Sequence, residues 1–178
     1  MRKMKIAVIG YSGSGKSTLA RRLGIYYDAP VLHLDSVHFL PDWKVRDRQE
    51  KEKIVEDFLN GSRLWVVDGN YPKLSYDRRM AEADLIVMML FNRFNCLWRV
   101  TKRYRKFKNS TRPDMAKGCS EKLDFEFVRW VLYKGRSKAD TQRFKNIKNT
   151  YSKKTVVLKN QKQLDRFLKQ FEGENNEV

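Results

Sequence analysis

Short apolar runs alternate along the chain with amphipathic stretches. Lys5-Ile-Ala-Val-Ile-Gly10 reads as a buried strand. A helix follows from Lys16, with Leu19, Leu23 and Tyr26 on one face. Pro30 to Asp35 reads as a second strand. Residues 46–60 have helical periodicity, with Ile54, Val55, Phe58 and Leu59 inward and Gly61 as the stop. Leu64 to Asp68 and Asp84 to Phe91 supply strands three and four. A long basic helix is predicted over 92–107, with Phe94, Leu97, Thr101 and Tyr104 at helical spacing. Residues 108–119 carry loop and turn chemistry. Ser120 is placed to cap a helix bearing Leu123, Phe127, Trp130 and Val131 on one face. A further basic helix is predicted over about 137–150. Lys154 to Lys159 reads as strand five. Leu164, Phe167, Leu168 and Phe171 mark a last helix, and 172–178 a frayed polar tail.

Strands alternating with helices predict an α/β fold: a parallel sheet covered on both faces, as one domain. Ligands of such sheets bind beyond the carboxyl ends of the strands. At the first of those ends lies Gly10-Tyr-Ser-Gly-Ser-Gly-Lys-Ser-Thr18, which fits G-x-x-x-x-G-K-[ST] between a strand and a helix. Gly10, Gly13 and Gly15 let the backbone curl so that successive N–H groups, with those of Ser12 and Ser14, face phosphate oxygens. The helix N-terminus adds its partial positive charge. Lys16 is placed to span the β- and γ-phosphates, the Ser17 hydroxyl to ligate Mg²⁺, and Thr18 to reach the α-phosphate. The expected ligands are ATP and Mg²⁺.

No Asn-Lys-x-Asp segment reads guanine and no transporter-type signature segment is present, and the chain is short for an oligomeric motor. What remains resembles the adenylate-kinase-like small-molecule kinases. Trp65-Val-Val-Asp68-Gly69-Asn70 is similar to their apolar-run-then-Asp-Gly segment, which implies Asp68 as a Mg²⁺ or substrate ligand. Asn70-Tyr71-Pro72 departs from the Phe-Pro-Arg of adenylate kinases, so AMP is not the expected acceptor. Arg99 and Arg103 stand one helical turn apart on one face. They are similar to the paired lid arginines of nucleotide kinases, one stacking on the base and the other meeting phosphate. Arg112 and Arg136 are further lid candidates. Asp35 is the candidate to orient or deprotonate an acceptor hydroxyl. His33 and His38 lie near it without a carboxylate cluster and are read as structural.

Leu32-His-Leu-Asp35 with His38 and Trp43, Val67-Asp-Gly-Asn-Tyr71, Arg112-Pro-Asp-Met115 and Gly118-Cys-Ser-Glu-Lys122 together resemble the bacterial DNA topology modulation protein (FlaR-related) family. The resemblance spans about residues 4–171. It implies a P-loop kinase-like fold with strand order 2-3-1-4-5.

Charge modifies the picture. The chain of 178 residues has a net charge of +17. Residues 93–154 hold 19 Lys/Arg and 5 Asp/Glu, a surplus of +14. A concentrated basic segment implies a polyanionic partner. Besides the kinase, a nucleotide-switched nucleic-acid-binding regulator is therefore an alternative, with Trp98, Tyr104, Phe107 and Trp130 interleaved among the cations. Those aromatics fall at core spacing, and most are expected to be buried. Cys96 and Cys119 make neither a disulfide framework nor a zinc site. No apolar run reaches the length of a membrane span, and no targeting signal is read. The expectation is a soluble cytoplasmic protein, monomeric or homodimeric, acting on ATP and a small acceptor.

Overall fold

The structure is a computed structural model, which describes residues 4–108 and 110–172. Of the expected tail 172–178, all but the first residue lies outside them.

Five parallel strands form the sheet: β1 (Lys5–Gly10), β2 (Val31–His33), β3 (Trp65–Asp68), β4 (Leu85–Met89) and β5 (Thr155–Leu158). Their order is β2-β3-β1-β4-β5, as expected. The register sets Val8 beside Asp68 and Gly10 beside Met89. The strand ends that carry chemistry therefore share one edge. Among the described residues eight α-helices surround the sheet: α1 (Lys16–Tyr27), α2 (Leu34–His38), α3 (Arg48–Gly61), α4 (Tyr76–Glu82), α5 (Arg93–Phe107), α6 (Phe125–Leu132), α7 (Lys138–Thr150) and α8 (Gln161–Glu172).

Because strand side chains alternate, β1 feeds both faces. Ile6 and Val8 pack with Leu19 and Leu23 of α1, Cys96 and Val100 of α5, Val131 of α6 and Leu164 and Phe167 of α8. Ala7 and Ile9 pack with Val37 of α2, Val55 and Leu59 of α3, Met80 of α4 and Phe144 and Ile147 of α7. Three layers result.

Four expectations need correction. Strand two stops at His33, and Asp35 sits in the first turn of α2 instead of at a strand end. The Ser36 hydroxyl donates to the His33 carbonyl at 2.7 Å, and Leu34 is buried over Gly69. Side-chain closure of that turn competes with the ladder. The helix expected from Ser120 begins at Phe125, because Asp124 is its cap, accepting from the Phe127 N–H at 2.8 Å. Ser120 instead bridges to Thr111 and Glu121 to Lys108. Gly61 is the last residue of α3 and not its stop. The interleaved aromatics are not buried: Trp98 is 65% exposed and Trp130 48%, while Tyr104 and Phe107 are half-buried. Helix α5 turns Cys96 and Val100 inward, which sends Phe94 and Trp98 outward.

Helix α4 has no counterpart in the sequence reading. It is organised by Arg79, which is 0% exposed. The guanidinium donates to the carbonyls of Leu74, Gly69 and Tyr71 at 2.9, 3.1 and 3.0 Å. Burial pulls its pKa down to about 10, so it stays charged at neutral pH. One buried cation thus holds the whole turn that follows β3.

Candidate functional site

The loop from Gly10 to Gly15 leaves β1 and enters α1. Gly10, Gly13 and Gly15 have φ of +140°, +77° and +96°. These are values that L residues avoid and that aim successive N–H groups into a concavity. Close approach demands glycine as well. A Cβ at Gly10 would lie 2.2 Å from the Met89 carbonyl oxygen, and one at Gly13 would lie 2.6 Å from Val100 Cγ2. No side chain caps the N-terminus of α1. Its leading N–H groups are left for an anion. The Ser14 hydroxyl is buried and without a partner among the described residues. The loop fits the polyphosphate that its sequence pattern implies.

A cavity of about 390 Å³ opens over this loop. Ser12, Gly13, Gly15, Lys16, Ser17 and Thr18 line it, and Gly10 and Ser14 lie behind. Lys16 Nζ donates to the Tyr11 carbonyl at 3.1 Å. Arg99, Arg103 and Arg112 reach the same cavity, and so does Asp35. The sequence reading did not single out Arg21, Lys102 or Lys106, which also line it, together with Phe107 and Asp114. Seven cations thus face two carboxylates, a surplus suited to a polyanion. Arg21, four residues beyond Ser17, is the one that helical spacing could have revealed.

Each arginine is differently fixed. Arg99 donates to the Ser14 carbonyl at 3.1 Å, bonds Gln161 and lies over the Phe91 ring. Burial lowers its pKa. Arg103 pairs with Glu121 at 2.6 Å. Arg112 pairs with Asp114 at 2.7 Å and Glu121 at 2.5 Å. Arg136 is not among the residues lining the cavity. It donates to the Val131 and Phe91 carbonyls at 3.0 Å each and stacks 3.9 Å over Tyr11 of the loop. It props the loop from outside the cavity.

On the opposite side Asp35 accepts from the Tyr71 hydroxyl at 2.7 Å. Burial first, then Asp35, raises the Tyr71 pKa, so the phenol remains a donor. Asp68 is buried at the end of β3 and accepts from His33 Nδ1 at 3.0 Å. It is not among the lining residues, so of the two expected Mg²⁺ ligands only Ser17 faces the cavity. Among the described residues no cluster of three metal-ligating side chains occurs. Asn70 accepts from the Gly10 N–H at 2.9 Å and donates to its carbonyl at 2.7 Å. It clasps the phosphate loop to the turn after β3.

A larger groove, about 680 Å³, runs along the outer side of α5 between Phe94, Leu97, Trp98, Thr101, Lys102 and Arg105. Its lining has the cations Lys102 and Arg105 but no carboxylate and no glycine.

No protein-family model matches the chain, and no curated protein matches it. The crystal structure of TT1252 from Thermus thermophilus superposes with a TM-score of 0.53 at 17% identity, covering 98% of each chain. The structure of an uncharacterized protein from Eubacterium ventriosum gives 0.47 at 13% identity, covering 96% of this chain and 99% of that one. The likeness to TT1252 shows the fold alone.

Proposed function

We propose that the protein is a small kinase that moves the γ-phosphoryl group of ATP to a nucleotide or nucleoside acceptor. The observation that carries this reading is the convergence on one cavity of the phosphate loop, Lys16, three arginines and Asp35. The loop N–H groups and the helix N-terminus hold the polyphosphate, and Lys16 turns from the Tyr11 carbonyl to the β- and γ-phosphates. Arg99 lies against the base side, and Arg103 and Arg112 meet charge on the group in flight. Asp35, aligned by Tyr71, orients the acceptor and takes the proton of an acceptor hydroxyl as the new P–O bond forms and the bond to ADP breaks. Mg²⁺ would be held by Ser17 together with the phosphates themselves, as is usual for this ion. Asp68 would act on it at one remove. The resemblance to adenylate-kinase-like proteins points the same way.

The test is ADP release from Mg-ATP with a panel of nucleoside monophosphates, nucleosides and small hydroxyl metabolites. One acceptor should stimulate release, and Lys16→Ala should lower the rate by about a hundredfold or more. No transfer to any acceptor at saturating Mg-ATP ends the kinase reading.

The exposed Trp98 and Trp130 in the basic segment favour a second reading, single-stranded nucleic-acid binding under nucleotide control. Against it, Lys102 Nζ lies 5.3 Å over the Trp98 ring, where a base would stack. An oligonucleotide affinity that is steeply salt-dependent and unaltered by Trp98→Ala would reduce this to non-specific attraction.

A further inference from the structure

The segments Arg112-Pro-Asp-Met115 and Gly118-Cys-Ser-Glu-Lys122 lie outside the phosphate loop, and no role in phosphoryl transfer follows from their sequence. In the fold they meet. The Lys108–Glu121 and Thr111–Ser120 bridges bring the two segments side by side under α5. Arg103 uses Nε and Nη2 on Glu121 Oε1, at 2.8 and 2.6 Å. Arg112 Nε lies 2.5 Å from Glu121 Oε2 as an ion pair without hydrogen-bond alignment, and Nη1 donates to Asp114 at 2.7 Å. Arg103 Nη1 and Arg112 Nη2 stand outside these pairs. Arg103 and Arg112 both line the cavity over the phosphate loop, whereas Glu121 is not among its lining residues and its side chain is 2% exposed. The carboxylate therefore sits behind the arginines.

We infer that Glu121 is a positioning residue that locks Arg103 and Arg112 into a two-pronged clamp for the terminal phosphate of the bound nucleotide, with Asp114 steadying the second prong. This rests on the ATP-dependent reading of the cavity given above. The physical reason is that two unbraced arginines side by side repel and swing apart. A buried carboxylate that accepts from Arg103 and ion-pairs with Arg112 fixes their spacing while each keeps a nitrogen for the ligand. The arginines then need no reorganisation when phosphate arrives. A rival arrangement would have Glu121 occupy the phosphate position and compete with it. Its place behind the clamp, out of the cavity, argues against that.

The two differ in sign. Removing a negative charge near a phosphate site strengthens anion binding on electrostatics alone. Removing a brace weakens it. Glu121→Gln, titrated by calorimetry with Mg-ATP and with Mg-ADP, separates them. The expected result is an ADP affinity within about threefold of wild type and an ATP affinity lowered roughly tenfold. Glu121→Asp, which restores the charge one methylene short, should recover part of that loss. Unchanged or tighter ATP binding, equal loss of ATP and ADP affinity, or a wild type with no preference for ATP over ADP would each overturn the inference. If Glu121→Gln is unfolded by circular dichroism, Asp114→Asn takes its place with the same outcomes. Discrimination between ATP and ADP requires no acceptor. Its loss in the variant, alongside a wild type without turnover, would uphold the clamp and remove the kinase. Turnover with discrimination intact in the variant would do the reverse.

Discussion

Gly13 shows how tightly single residues are determined here. Its φ of +77° and its contact with Val100 leave no room for a methyl group. Gly13→Ala should cost about 2 kcal/mol through strain and displaced packing. That would appear as a fall of about 6 °C in Tm together with lost nucleotide binding. Arg79 is determined by its three carbonyl partners. Arg79→Met keeps most of the volume and strands all three, so at least ~3 kcal/mol should be lost, or about 10 °C in a thermal melt. His38 carries a pH signature. Burial, then Lys51, holds its pKa below 6.5, against a smaller opposing effect from Asp35. The folded state thus prefers the neutral ring, and its contribution is present above pH 6.5 and lost as pH falls toward the depressed folded value. Urea titrations at stepped pH should show stability declining below pH 6.5 in wild type and a shallower decline in His38→Gln.

Helix α1 ends on Asp28, with φ +49° and ψ +44°, its N–H shared between Gly24 and Ile25 carbonyls. That left-handed cap suits glycine, so Asp28→Gly should add about 0.5–1 kcal/mol, read as a Tm gain of about 2–3 °C. Elements of this kind, with strong periodicity and short-range stops, were legible in the sequence. Apart from the early end of β2, the five strands and α1, α3, α5, α7 and α8 fall where the apolar pattern puts them. The misses have long-range causes. Helix α4 is only seven residues long, and its buried arginine answers to carbonyls that precede it in a turn. Ser120 has the chemistry of a cap, yet it is drawn into a bridge with Thr111 that no local pattern announces. Within the candidate site, the phosphate loop is a contiguous motif and could be read directly. Tyr71 on Asp35, Asn70 on Gly10 and Glu121 on two arginines join residues from 9 to 60 positions apart, and only the fold reveals those pairings.

For the molecule as a whole, the parallel order β2-β3-β1-β4-β5 puts the phosphate loop on the central strand, with the Asp35 side and the arginine side flanking it. The basic surplus of residues 93–154 is carried by α5 and α6 on one face of the sheet and by α7 on the other. The Asp35 side and the basic side also touch directly. The Trp43 indole N–H donates to the Ser120 carbonyl at 3.0 Å, beside a turn in which Asp42 and Trp43 both have positive φ. Among the described residues no helix is long and apolar enough to cross a membrane.

Both thiols are buried, and burial pushes that of Cys96 upward. Cys119 lies at the same junction as Trp43, where its Sγ donates to the Leu40 carbonyl at 3.1 Å. A thiol reagent can reach it only while that junction is parted, so the rate of alkylation clocks the opening. A nucleotide that draws the two sides together should slow that clock. The chain thus contains its own stopwatch for the breathing of the cleft, readable by mass spectrometry without any added label.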